Sequence, residues 1–87
     1  MDLRKLEIFV RVAQLNSFSK AAESLHMAQP AVSIAVRKLE EALQTSLFDR
    51  SGRRVELTAE GHILLTKAQG ILRDMRPTTS ARAAPAR

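Results

Sequence analysis

Apolar residues recur at helical spacing along most of this chain. Leu3, Leu6, Phe9, Val10 and Ala13 line one side of a segment whose other positions are Arg4, Lys5, Glu7, Arg11 and Gln14. That pattern predicts a first amphipathic helix over 3–15. Asn16-Ser17 interrupts it with turn-forming residues. A short second helix follows over 19–25, with Ala21, Ala22 and Leu25 inward and Ser19 as the expected N-cap. His26, Met27 and Ala28 connect it to a third helix. Pro30 suits that helix's first turn, where a missing N–H costs nothing, and the helix runs to Leu43. Val32, Ala35, Val36, Leu39, Ala42 and Leu43 form its apolar stripe, roughly 120° wide. The opposite face centres on Pro30, Ser33, Ile34 and Arg37, with Lys38 at its edge.

The period then changes. Leu47-Phe48-Asp49-Arg50, Ser51-Gly52 and Arg53-Arg54-Val55-Glu56-Leu57 read as two short strands around a tight turn. Thr58 is placed to cap a fourth helix that reaches Arg76 and stops before Pro77. Its stripe is Gly61, Leu64, Leu65, Ala68, Ile71, Leu72 and Met75. Residues 77–87 have no periodicity and are expected to be disordered. No internal repeat is visible. The division expected is a compact unit over 1–57, a linker helix over 58–76 and a tail.

Length and composition narrow the possibilities. Eighty-seven residues make one small domain and leave no room for a large enzyme with a deep cleft. Cysteine is absent, so disulfides, thiolate metal sites and thiol nucleophiles are excluded. The three aromatics are Phe9, Phe18 and Phe48, too few for a base-stacking platform. Charged residues near the start exclude a signal peptide, and no apolar run is long enough to span a membrane, so a cytoplasmic protein is expected. His26 and His62 have no partner at metal-ligand spacing, and no nucleophile motif or phosphate-binding glycine loop occurs. The expectation is therefore no catalysis, no metal and no cofactor.

The strongest signal is the second and third helices together. Phe18, Ala21, Ala22, Leu25, Met27, Val32 and Ala35 occupy the apolar positions of a helix-turn-helix, with a small residue at Ala22 where the helices cross. His26 stands where such turns usually carry glycine. Leu3-Arg4-Lys5-Leu6-Glu7-Ile8-Phe9, Ser17-Phe18-Ser19-Lys20-Ala21-Ala22, Gln29-Pro30-Ala31-Val32-Ser33, Leu39-Glu40, Leu47-Phe48-Asp49-Arg50 and Leu57-Thr58-Ala59-Glu60-Gly61 follow in order. Over residues 1–76 the chain resembles the N-terminal DNA-binding domain of LysR-type transcriptional regulators, in which His at the turn is ordinary. The resemblance implies a mainly α fold: a winged helix-turn-helix of three helices and a two-stranded hairpin, followed by a long helix through which two copies dimerise. It implies bacterial origin and binding to promoter DNA containing an interrupted inverted repeat. It also implies that Gln29, Pro30 and Ser33 face the groove and that the hairpin lies beside the minor groove. The large effector-binding domain of such regulators is not in these residues, so no small-molecule effector is expected for this fragment.

The residue chemistry fits that reading. A major groove about 12 Å wide admits one helix. Gln29 can pair bidentately with adenine, Ser33 reaches a base or phosphate, and Arg37 takes guanine or a phosphate, with Lys38 beside it. Ile34 departs from the resemblance, where a polar residue or Arg is frequent. It either packs on a thymine methyl or is a singly exposed apolar residue. Arg53 is the expected minor-groove insertion, with Arg50 and Arg54 near phosphates. Ser19 and Lys20 are further phosphate candidates. The stripe from Gly61 to Met75 is the expected dimer contact. A homodimeric protein–protein adaptor and a sequence-independent DNA binder are the alternatives.

The formal net charge is +5, from 14 Lys and Arg against 9 Asp and Glu. Without the segment from Arg76 onward, 11 basic and 9 acidic residues remain. The placement of arginines on the hairpin and third helix therefore says more than the total does.

Overall fold

The computed structural model describes residues 2–52 and 54–74. Six elements follow in chain order: α1 (Leu3–Leu15), α2 (Phe18–Leu25), α3 (Gln29–Leu43), β1 (Phe48–Asp49), β2 (Glu56–Leu57) and α4 (Ala59–Asp74). The mainly helical winged helix-turn-helix followed by a further helix is as expected. Arg53, Met75, the end of α4 at Arg76 and the 77–87 tail lie outside the described residues.

α1 is the hub, packing against α2, α3 and α4. Leu6, Ile8, Phe9, Val10, Val12 and Ala13 are buried on it. Phe9 is fully enclosed in the same core cluster as Val32, Val36 and Leu39 of α3; removing such a ring costs about 3–5 kcal/mol. Val32, Val36 and Leu39 of the expected α3 stripe are buried and Ala35 and Leu43 half-buried, but Ala42 is exposed. Ala21 and Ala22 are buried where α2 meets α3. Each alanine removes side-chain bulk, so the two helix backbones close on one another.

Three local details differ from the sequence reading. First, α2 begins at Phe18, and its N-cap is Ser17. The Ser17 backbone is extended, and its Oγ accepts the Lys20 N–H at 3.0 Å. Ser19 lies inside the first turn. Second, the strands are shorter than the sequence suggests. Phe48 pairs with Leu57 and Asp49 with Glu56, antiparallel, which leaves residues 50–52 and 54–55, the described part of the wing loop, outside the strands. At the end of β1, Asp49 Oδ1 accepts both the Ser51 N–H (3.0 Å) and the Ser51 hydroxyl (2.6 Å), a local side-chain turn that competes with further strand pairing. Third, Gly61 and Ala68 are buried within this chain. A β-carbon at Gly61 would collide with the Leu47 carbonyl oxygen. These two residues, expected at a dimer contact, serve the chain's own core instead, because α1 and the hairpin occupy that side of α4.

Helix ends follow a common device. Asn16, His26 and Gln44 each take the left-handed conformation as C-caps, with φ of 53°, 58° and 55°. At the start of α4, Thr58 Oγ1 accepts the Gly61 N–H (3.0 Å) and donates to the Ser46 carbonyl (2.7 Å).

Candidate nucleic-acid interface

α3 leaves one row of its surface uncovered. Gln29, Pro30, Ile34 and Arg37 are exposed and Ser33 is half-buried. The helix starts without a side-chain cap, because Ala28 precedes it and Pro30 stands in its first turn. Pro30 has no N–H to offer there, and the Ala31 and Val32 N–H groups bond the Ala28 carbonyl at 3.0 and 3.3 Å, so this helix start leaves little free amide for an anion and recognition falls to the side chains. Ile34 is 43% exposed in the middle of this row.

The wing loop rises beside the same row. Gln29, Ser33 and Arg37 from α3, Arg50, Gly52, Arg54 and Val55 from the wing, and Phe18 from α2 together line a hollow of about 330 Å³. Three guanidinium groups, those of Arg37, Arg50 and Arg54, thus border one concavity. Such a wall of positive charge favours a polyanionic ligand. Arg53 is outside the described residues.

The wing is fixed to α3 by Glu40. Its Oε2 accepts the backbone N–H of Leu47 (2.9 Å) and of Phe48 (3.3 Å), while Oε1 lies 3.7 Å from an Arg50 guanidinium nitrogen. The other side of Arg50 stacks over Phe18, 5.1 Å from the ring centroid. Phe18 in turn meets the Phe48 ring edge-on at 5.6 Å, and Phe48 meets Phe9 at 5.4 Å. In the sequence Glu40 stands out only as part of the Leu39-Glu40 motif, with no role of its own. Its spacing to Leu47 and Arg50 carries no local signature, since only the packed fold brings them together.

Other expected site residues fall elsewhere. Lys38 is exposed but lines a separate hollow of about 490 Å³ with Asp2, Lys5, Leu39, Glu41 and Ala42. Its neighbours there include two carboxylates, Asp2 and Glu41, and a second lysine, so it faces a mixed field. Ser19 and Lys20 are exposed on the first turn of α2, next to Phe18. Ser19 Oγ is 3.3 Å from Ser17 Oγ. On α4, Leu64, Leu65 and Leu72 are half-buried against the chain's own core. Ile63, 59% exposed, and Ile71, 43% exposed, lie off that core-facing row. The sequence reading missed Ile63.

Two carboxylates are held below their ordinary range by local hydrogen bonds. Asp2 caps α1 by accepting the Arg4 N–H (2.9 Å) and meets Lys5 Nζ at 3.2 Å; the backbone bond is the larger cause. Asp49 is lowered first by the Ser51 hydroxyl and then by the Ser51 N–H. Among the described residues, no group of three or more His, Asp or Glu is placed to hold a metal ion, and no helix is long and apolar enough to cross a membrane.

Comparison with known proteins gives this geometry a family. The family profile described as "Bacterial regulatory helix-turn-helix protein, lysR family" matches residues 3–62. An uncharacterized HTH-type transcriptional regulator from the ibpB-leuC intergenic region of Azotobacter vinelandii is 49% identical over 81 residues, 93% of this chain and 56% of that protein. A probable RuBisCO transcriptional regulator of Cyanophora paradoxa is 50% identical over 71 residues, 82% of this chain and 22% of that protein. The chain thus spans about half the length of the first relative and about a fifth of the second. Among solved structures, the BenM_DBD/catB site 1 DNA complex superposes with a TM-score of 0.83 at 42% identity, covering 85% of this chain and 80% of that one. Full-length CbnR complexed with its target DNA superposes with a TM-score of 0.79 at 40% identity, covering 84% of this chain and 25% of that one. The chain belongs to the LysR family of bacterial regulatory helix-turn-helix proteins, and the helix-turn-helix and wing described above are its DNA-binding domain.

Proposed function

We propose that this chain reads duplex promoter DNA by laying α3 in the major groove and the wing against the adjacent minor groove. The observation that carries this reading is the shared hollow: Gln29, Ser33 and Arg37 face Arg50 and Arg54 across it. Gln29 is suited to adenine, Arg37 to guanine or a phosphate, and Arg50 and Arg54 to the backbone between the grooves. Pro30 and Ile34 supply apolar surface on the same row. Arg53 is the wing residue proposed for the minor groove. Lys38, Ser19 and Lys20 are proposed as outlying phosphate contacts. On this reading the molecule is a transcription regulator of the bacterial cytoplasm and not an enzyme.

We further infer that two copies pair through α4. Ile63 and Ile71 present apolar surface off the core-facing row, which fits a partner helix, and the half-buried Leu64 lies at its edge. Leu65 and Leu72 lie closer to the chain's own core and border that contact. Two paired copies present two α3 helices to an interrupted inverted repeat.

Selection of bound sequences from a random duplex pool tests the first claim. An enriched motif that outcompetes unrelated duplex supports it. Equal binding to all duplexes makes the chain a sequence-independent binder, and no binding at low salt makes it a protein adaptor. Sedimentation at micromolar concentration tests the second claim: a monomer throughout overturns it.

A further inference from the structure

Arg50 is the only wing arginine among the described residues with an ion-pair partner. Its position is fixed from two sides: the Glu40 carboxylate approaches the guanidinium at 3.7 Å, and the Phe18 ring lies across it at 5.1 Å. Glu40 is unusual in doing two jobs at once. Its side chain is 13% exposed, and its other oxygen holds the N–H groups of Leu47 and Phe48, the stem of the wing. One carboxylate on the last turns of α3 therefore sets both the pose of the wing and the place of its first arginine. A polyanion entering the hollow would meet Arg50 already in place, with its rotamer entropy largely spent.

We propose that Glu40 is a positioning residue for DNA recognition, acting through Arg50 and locking the wing to α3 in one register. The inference rests on the DNA-binding reading above. Glu40 itself carries the wrong charge to touch a phosphate. Its negative charge beside the hollow weakens attraction to any DNA, while its geometry favours the duplex whose backbone fits Arg50. Its loss should therefore weaken specific binding without weakening unspecific binding.

The test compares wild type, Glu40→Gln, Arg50→Ala and the double variant of the full 87-residue chain on two duplexes. One is the sequence selected by the wild type from a random pool; the other is unrelated in sequence. Glu40→Gln keeps an acceptor for the Leu47 and Phe48 N–H groups and removes the charge facing Arg50. It is expected to weaken the selected duplex about five-fold and leave the unrelated duplex unchanged or tighter. In the Arg50→Ala background, Glu40→Gln should have no further effect on the selected duplex. Phe18→Leu, which leaves the Glu40 bonds intact, should reproduce the loss of discrimination and keeps the test usable should Glu40→Gln unfold. Undiminished discrimination in Glu40→Gln and Phe18→Leu would overturn the proposal. So would a Glu40→Gln loss that is the same with and without Arg50, or that is equal on both duplexes. Failure of the wild type to bind any duplex would instead overturn the DNA-binding reading itself.

Discussion

Gly61 meets the carbonyl oxygen of Leu47 so closely that no β-carbon fits between them. The first turn of α4 is thereby seated on the stem of the wing. Gly61→Ala must push backbone apart, since the obstacle is a carbonyl rather than a flexible side chain. A loss of about 1–3 kcal/mol is expected in a denaturant titration. Unchanged stability would mean that the hairpin and α4 shift freely against each other.

The cap of α2 makes a paired prediction. Ser17 accepts the Lys20 N–H, whereas Ser19 sits within the helix. Ser17→Ala should cost about 1 kcal/mol and Ser19→Ala close to nothing. Thermal melts of the two variants would separate them, and equal losses would argue for a shared cap.

His26 and Gln44 end α2 and α3 in the left-handed conformation. A side chain there is strained, while glycine loses more freedom on folding, and the first effect is the larger. His26→Gly and Gln44→Gly should each raise stability by about 0.5 kcal/mol, read as a higher unfolding midpoint. A lowered midpoint would show that these side chains make contacts worth more than the strain.

Ile34 lies exposed in the middle of the α3 row. Ile34→Ala should weaken a thymine-containing selected duplex several-fold, on the order of 1 kcal/mol for one apolar base contact. Against the same duplex with deoxyuridine at that position the loss should vanish. Equal losses on both would remove the thymine methyl from the interface.

Acid should loosen two places first. Asp2 and Asp49 have carboxyls held below their ordinary range by bonds to Arg4 and Lys5 and to Ser51. A group whose folded value is lowered contributes stability above its unfolded value and loses it as pH falls through the folded one. Protection of the Arg4 and Ser51 amides, taken against the intrinsic exchange rate at each pH, should therefore fall as pH drops below the ordinary carboxylate range, before the buried core responds. In Asp49→Asn the Ser51 amide should lose this dependence. Protection that stays constant into strong acid at both amides would contradict it.

Periodicity was enough to read the helices, because each buries one side and the spacing of Leu6, Phe9, Val10 and Ala13, or of Val32, Val36 and Leu39, records that side. The exposed row of α3 followed by subtraction. What periodicity hides is which partner covers a face. The stripe on α4 was legible, but the sequence did not say that Gly61 and Ala68 would be claimed by the hairpin and α1. Ser51-Gly52 is a strong local signal for a two-residue turn, whereas the Asp49 side chain that bonds Ser51 acts from two residues away and leaves no such signature. Glu40 was the largest omission. A carboxylate among polar neighbours on a helix looks solvated until the strand that needs its oxygens is in place.

Thr58 bonds backward to Ser46 and forward to Gly61, and so joins the wing stem and α4 into one joint. The direction in which α4 departs is then a property of a single domain, fixed before any second copy arrives. One residue inserted after this threonine would swing Ile63 and Ile71 round the helix by about 100°. Each α3 would stay intact, yet the distance and phase between two of them on a duplex would no longer match one pair of half-sites. In the pairing proposed above, operator spacing would thus depend on a hydroxyl group set apart from the hollow between α3 and the wing.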